Sequence, residues 1–118
     1  MTNIYILKLE NNKWYVGKSN NTDLRIDSHF EGSDTEWCKV NKPIQIHAIF
    51  PTNDSFDEDK YVKKYMALYG IDNVRGGSYS QVKLSKHQIN FIEKEINGAF
   101  DKCFKCGVKV VILQKIVN

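Results

Sequence analysis

The chain has 118 residues, 42% hydrophobic and 26% charged, which fits a single folded domain and excludes wholesale disorder. Its net charge of +3, from 17 basic and 14 acidic residues, favours an anionic partner only if the charge gathers on one face. No apolar run approaches the roughly 18 residues of a membrane span, Met1 is not followed by a basic and then apolar leader, and three cysteines make no disulfide framework. The expectation is an intracellular protein from a reducing compartment, with no membrane partner.

The elements follow in order. Residues 4–9 are nearly all apolar, Glu10-Asn11-Asn12-Lys13 is turn-like, and 14–17 are aromatic and β-branched, so the chain opens with a β-hairpin. Thr22 caps a short helix through about Glu31. Residues 34–40 read as a further helical turn with Trp37 packed inward. Pro43 leads into a strand over 44–50, stopped by Pro51-Thr52-Asn53-Asp54. Residues 55–69 form a stronger helix, opened by a Ser55-Phe56-Asp57-Glu58 capping box and closed at Gly70. Its apolar stripe is Tyr61, Val62, Tyr65, Leu68 and Tyr69. A loop over 73–78 contains Gly76-Gly77. The last helix, 85–100, has Ser85 as cap with Gln88 three residues on, and buries Ile89, Ile92, Ile96 and Phe100. This order predicts an α/β domain over 1–101, a small three-stranded antiparallel sheet flanked by helices, followed by a tail over 102–118.

Three features converge on chemistry. Asn3-Ile4-Tyr5 precedes Tyr15-Val16-Gly17-Lys18; Arg25 and His29 share a helix face at i, i+4; and Glu58 is followed by Asn73. In this order and spacing the sequence resembles the GIY-YIG nuclease superfamily, with Asn3 where the first tripeptide has glycine. The resemblance implies a GIY-YIG-like sandwich and an endonuclease that hydrolyses DNA phosphodiesters. It also implies one divalent metal, Mg²⁺ with Mn²⁺ as a substitute.

Each implied role has its own physical reason. Glu58 is the expected metal ligand, because hard cations take carboxylate oxygens and Mg²⁺ keeps several waters. The same residue could instead be the N3 member of the capping box, but on a wheel of about 100° per residue it falls within the inward stripe, off which Asp57 and Asp59 point. An inward carboxylate needs a partner or a metal. Arg25 is the expected phosphate clamp, since its planar fork meets two oxygens and stays charged. It is also one of only 2 arginines, the other being Arg75, in a chain with 15 lysines. His29 relays a proton or contacts phosphate, and Lys18 adds positive charge at the scissile phosphate or lowers a neighbouring tyrosine's pKa. Tyr5 and Tyr15 are the candidate general bases, with Tyr5 favoured. Asn73 braces the site by hydrogen bonds, and Arg75 contacts the loop or the DNA backbone.

Strand parity adds a condition. A two-residue Asn11-Asn12 turn would place Tyr5 opposite Lys18 and send Tyr15 to the other face. Both tyrosines reach one site only if the turn is odd in length or carries a bulge, and that is the expectation.

The tail holds Cys103-x-x-Cys106, half of a zinc knuckle with no later His or Cys. No zinc is expected within a monomer, although the codons open to residues 108–118 admit a shifted frame that would complete a knuckle. Competing readings are a nucleic-acid-binding module that no longer cuts and a protein-interaction domain. The DNA target and the oligomeric state are not legible, and recruitment by a protein partner is open.

Overall fold

Four strands, β1 (Asn3–Leu9), β2 (Lys13–Ser19), β3 (Pro43–Pro51) and β4 (Val74–Gly76), form one sheet in the order β3-β1-β2-β4. The computed structural model describes residues 2–32 and 35–105, with side chains through 98. Helices α1 (Thr22–Glu31), α2 (Glu36–Val40), α3 (Asp57–Tyr69) and α4 (Lys86–Lys105) cover the sheet. None of the described helices is long and apolar enough to cross a membrane. The Cys103-x-x-Cys106 expectation and the remaining tail lie outside what is described, since Cys103 is seen only as α4 backbone.

β1 is apolar apart from Asn3 and Lys8 because both of its faces are covered. Ile4 and Ile6 join Trp14, Val16, Val62, Met66, Val74, Leu84 and Ile92 in the core beneath α3 and α4. Tyr5, Leu7 and Leu9 join Tyr15, Ile26, Trp37 and Cys38 in a second core beneath α1 and α2. Two cores of this kind make every parity error along β1 or β2 costly.

The β1–β2 turn is odd, as expected. Glu10–Asn12 forms a three-residue 3₁₀ turn, with Asn11 and Asn12 at φ 62° and 59°. Asparagine tolerates the left-handed region better than most residues, which explains the Asn pair. The resulting register pairs Leu9 with Lys13, Leu7 with Tyr15 and Tyr5 with Gly17.

The sheet has one strand more than expected. β4 pairs in parallel with β2 through Trp14–Val74, Tyr15–Arg75 and Val16–Gly76. Three residues ending in glycine carry no strand signal of their own; tertiary bonds hold them. Arg75 is 2% exposed and donates from Nε to the Gln81 carbonyl (2.8 Å), from Nη1 to those of Ile71 (2.6 Å) and Val74 (2.7 Å), and from Nη2 to that of Val82 (3.2 Å). Its guanidinium also lies 4.7 Å from the Trp37 ring centroid. Of the two contacts expected of Arg75, the loop is the one observed; its place among the DNA-binding residues is corrected, because its fork is consumed inside the fold.

Two helix starts also differ from expectation. α3 has no Ser55 capping box. It begins at Asp57 after Phe56, which has no side-chain cap bond. The preceding turn is organised instead by Asp54, whose Oδ1 accepts the Phe56 N–H (2.8 Å) and whose carbonyl accepts that of Asp57 (3.2 Å). Asn21, not Thr22, precedes α1; the Thr22 hydroxyl accepts from Asn3 Nδ2 (3.1 Å). Asn3 thus ties the start of β1 to the start of α1 from an extended conformation that needs no glycine. The Ser85–Gln88 box of α4 forms reciprocally, at 2.9 and 3.1 Å.

Replacing Arg75 with leucine should cost roughly 3–5 kcal/mol, because several carbonyls lose their donor at about 1 kcal/mol or more each. Urea unfolding measures this; a midpoint equal to that of the parent chain would contradict the account.

Candidate active site

Because Tyr5 pairs with Gly17, its ring crosses β2 where there is no side chain. A Cβ on Gly17 would lie 2.3 Å from Tyr5 Cζ and 2.4 Å from its hydroxyl oxygen. No residue but glycine permits that approach. The ring then reaches α1, where the Tyr5 hydroxyl meets His29 Nε2 at 2.9 Å. His29 and Tyr5 are each 1% exposed. Tyr15 completes the cluster, with its ring centroid 6.3 Å from that of Tyr5 and 4.9 Å from that of His29.

Arg25 is half-buried one turn before His29, and its side chain hydrogen-bonds Tyr5. Burial pushes the Tyr5 phenol far above its ordinary value; the Tyr15 ring adds to this, and the Arg25 charge and hydrogen bond oppose it without prevailing. Tyr5 is therefore a neutral, buried hydroxyl at ordinary pH, able to donate to His29 while it accepts from Arg25. Ile26, 5% exposed, anchors α1 in the second core and so fixes both polar neighbours.

A second cluster lies on the other face. Glu58 is half-buried at the start of α3. Burial holds its carboxyl above the usual range; the Lys18 ammonium opposes the shift, the Asp59 carboxylate adds to it, and a hydrogen bond from the Gly77 N–H opposes it. The Gly77 contact depends on Asp59, which the helical wheel had set aside. Asp59 accepts from the Ser78 N–H (2.9 Å) and the Ser78 hydroxyl (2.8 Å), pinning the loop after β4. Gly77, at φ +52°, has no room for a Cβ, which would lie 2.1 Å from Asp59 Oδ1 and 3.3 Å from Glu58 Cγ. The Gly76-Gly77-Ser78 run was the sequence signal for this loop, but nothing in the sequence pairs it with Asp59.

The two clusters flank the open end of β2, one on each face of the sheet. β4 pairs with β2 only as far as Val16, so Gly17–Ser19 form a free edge. Gly17 carries the Tyr5 ring, and Lys18, next along the strand, faces Glu58. Lys18 also lines an open concavity of about 520 Å³ with Thr2, Thr52, Asn53, Asp54 and Ser55. The structure thus gathers Tyr5, Tyr15, Arg25 and His29 on one side of this edge, with Lys18 and Glu58 on the other. Asn73 joins neither group. Its Oδ1 accepts from Lys13 Nζ (2.6 Å) and its Nδ2 donates to the Tyr69 carbonyl (2.7 Å), at the opposite end of β2. The expected bracing role of Asn73 is corrected to closure of the α3 C-terminus.

Sheet order, paired tyrosines and flanking cationic and carboxylate groups define a GIY-YIG domain, and the model of the GIY-YIG catalytic domain matches residues 1–70. The chain belongs to this family. Among known proteins it is similar to the UPF0213 protein YazA of Bacillus subtilis, 25% identical over 63 residues, which are 51% of this chain and 64% of that protein. It is 31% identical over 98 residues to the UvrABC system protein C of Fusobacterium nucleatum, 76% of this chain but 16% of that protein. It is 26% identical over 88 residues to the UPF0213 protein BH0048 of Halalkalibacterium halodurans, 70% of this chain and 94% of that protein. The chain thus spans less than two thirds of the first two of these relatives. No solved structure matches significantly.

Two measurements check this geometry. The folded-state pKa of Tyr5 lies above its unfolded value near 10, so its contribution to stability is intact below that pH and is lost as pH rises beyond it, by about 1.4 kcal/mol per pH unit. Of the 6 tyrosines, Tyr5 should yield its phenolate absorbance only as the fold is lost; full phenolate formation with unchanged circular dichroism would contradict its burial. Separately, Gly77→Ala should cost roughly 1–3 kcal/mol through strain and overpacking, and thermal melting should register the loss.

Proposed function

We propose that the chain is a DNA endonuclease that hydrolyses phosphodiesters with a divalent cation at Glu58. The observation that carries this reading is the Tyr5 hydroxyl held between His29 and Arg25, across the free edge of β2 from Lys18 and Glu58. Membership of the GIY-YIG family supports it, as does likeness to UvrABC system protein C.

The donor set suits Mg²⁺, with Mn²⁺ as a substitute. Among the described residues no three His, Cys, Asp or Glu side chains cluster as a cage. One carboxylate with several waters is an ordinary Mg²⁺ arrangement. Glu58 also sits beside Asp59 with its pKa raised, and a cation would relieve that penalty. When bound, the metal supplies positive charge for the developing phosphate and leaving oxygens.

The chain's own residues do the rest. Arg25 holds the non-bridging oxygens with its fork, and Lys18 places an ammonium on the opposite side of the phosphate. For Tyr5 to act as base, the bound phosphate must draw Arg25 off its hydroxyl and a water must enter there; the Tyr5 oxygen then takes that water's proton as its own proton passes to His29 Nε2, so no free phenolate has to persist in a buried site. This requires the tautomer of His29 with Nε2 unprotonated. Tyr15 packs against both rings and holds the pair in line. Little in this site reads base identity, so binding of intact duplex should be weak, sequence-tolerant and strongly salt-dependent.

Nicking of supercoiled plasmid with Mg²⁺ tests the reading. Glu58→Gln, Arg25→Ala and Tyr5→Phe should each lower the rate at least about 100-fold, while Tyr15→Phe should lower it less than about 10-fold because it keeps the ring contacts. Undiminished cleavage by Glu58→Gln and Arg25→Ala sinks the assignment. DNA binding with no cleavage by the parent chain identifies a binding module on the same scaffold.

A further inference from the structure

α3 and α4 cover the same core, and the groove between them stays open, with a volume of about 520 Å³. Ala67 and Ile96 line it, and Phe56 stands at its end nearest the start of α3. Phe56 is 79% exposed, the most of any large apolar side chain described. Phe91 is 60% exposed, and its ring centroid lies 6.0 Å from Nζ of Lys63, which also lines the groove. Exposed apolar surface gathered along a groove marks a place where another molecule is received.

The backbone that carries Phe56 is fixed. Its N–H is held by Asp54 Oδ1 (2.8 Å), and the Thr52 hydroxyl braces the same turn by bonding the Asp57 carboxylate and the Asp54 N–H (3.2 Å). The Phe56 carbonyl accepts the first helical bond of α3, from the Lys60 N–H (3.1 Å). The ring is therefore placed before any partner arrives, which lowers the ordering cost of binding. Around it the charge is unbalanced. Glu95 is paired with Lys63 at 2.9 Å, and Asp59 is turned onto Ser78. Lys60 and Lys64 lie over the Tyr61 ring, at 5.6 and 5.5 Å, with no carboxylate partner among the described residues. Both also line the groove, and their unmatched charge selects an acidic occupant.

The occupant must be acidic and apolar at once. A nucleic-acid backbone answers the lysines but brings nothing to fill an apolar lining. A membrane surface is flat and leaves a groove between helices empty. A second copy of the chain, meeting the first about a two-fold axis, would set Lys60 and Lys64 against their own like charges. A groove between two helices is filled by a third, which lays apolar residues into it at i, i+3, i+4 and i+7. We propose that this groove docks an acidic amphipathic helix of a partner protein. Its apolar side chains lie against Phe56, Ala67 and Ile96, and its carboxylates meet Lys60 and Lys64. Neither Glu58 nor Lys18 lines the groove, so a docked partner leaves the free edge of β2 open, and the inference does not rest on the nuclease reading.

The test is fluorescence anisotropy with the full chain in EDTA. The probes are labelled helical peptides of about 18 residues, with leucine and phenylalanine at i, i+3, i+4 and i+7 and glutamate on the remaining face. One control carries lysine for glutamate, and another carries serine for the apolar residues. The acidic peptide should bind at least about 10-fold more tightly than either control. Phe56→Ala should weaken it at least about 10-fold without shifting the melting temperature, because the ring is an exposed anchor. Lys60→Glu with Lys64→Glu should reverse the order of the acidic and basic peptides, which loss of structure alone cannot do. Failure of the acidic peptide to bind overturns the proposal, as does equal affinity for the acidic and basic peptides, or unchanged affinity in Phe56→Ala. A dimer of the parent chain in sedimentation that Phe56→Ala dissolves assigns the groove to a second copy and overturns it. Displacement of the peptide by duplex DNA or by phosphatidylserine vesicles, lost in Phe56→Ala, assigns the groove to those ligands and overturns it too.

Discussion

The close approach of the Tyr5 ring to Gly17 is the contact on which the rest of the site depends. It exists because the β1–β2 turn has three residues and so pairs Tyr5 with Gly17. With any side chain at position 17 the ring would be lifted from β2, and its hydroxyl would leave His29. With a turn one residue shorter, Tyr15 would face α3 and α4 in place of α1. Register, turn conformation and the Tyr5–His29 hydrogen bond are therefore one constraint seen at three scales. Asn11 and Asn12, far from the chemistry, help set it through their left-handed backbone.

A second constraint is the shortness of β4. Covering β2 completely would have sealed the edge that the two polar clusters flank. The strand stops at Gly76, and the chain turns away through Gly77 to be caught by Asp59. Burial and charge then divide the labour. The α1 side keeps a buried neutral hydroxyl beside a guanidinium, and the α3 side keeps a carboxylate whose burial is only partly offset by Lys18 and Gly77. Each side is costly to maintain by itself, and each is relieved by a ligand of the complementary charge.

The two arginines show how composition can point to the right residues for different reasons. In a lysine-rich chain both stand where lysine would not serve. Arg75 does so structurally, spreading its fork over carbonyls that a single ammonium could not span. Arg25 does so beside Tyr5. Scarcity marked both, but only the fold separates the buried strut from the half-buried neighbour of Tyr5. Asn3 is similar: as a departure from the glycine of the family motif it drew attention, and in the structure its amide joins two elements through Thr22.

The sequence by itself determined the elements and their faces. Apolar alternation, the Ser85–Gln88 box and the spacing of Tyr5, Tyr15, Arg25 and His29 are local patterns, and local patterns survive in one dimension. The need for an odd turn was also legible, because strand parity is simple counting. Tertiary structure alone decided the fourth strand, the inward fate of Arg75, the distance of Asn73 from Glu58 and the service of Asp59 to the loop after β4. Each of these rests on hydrogen bonds between segments remote in the chain, or on a donor set that could have been satisfied by several partners. A side chain's type fixes what it can bond. Only the packed fold fixes which of those bonds is within reach.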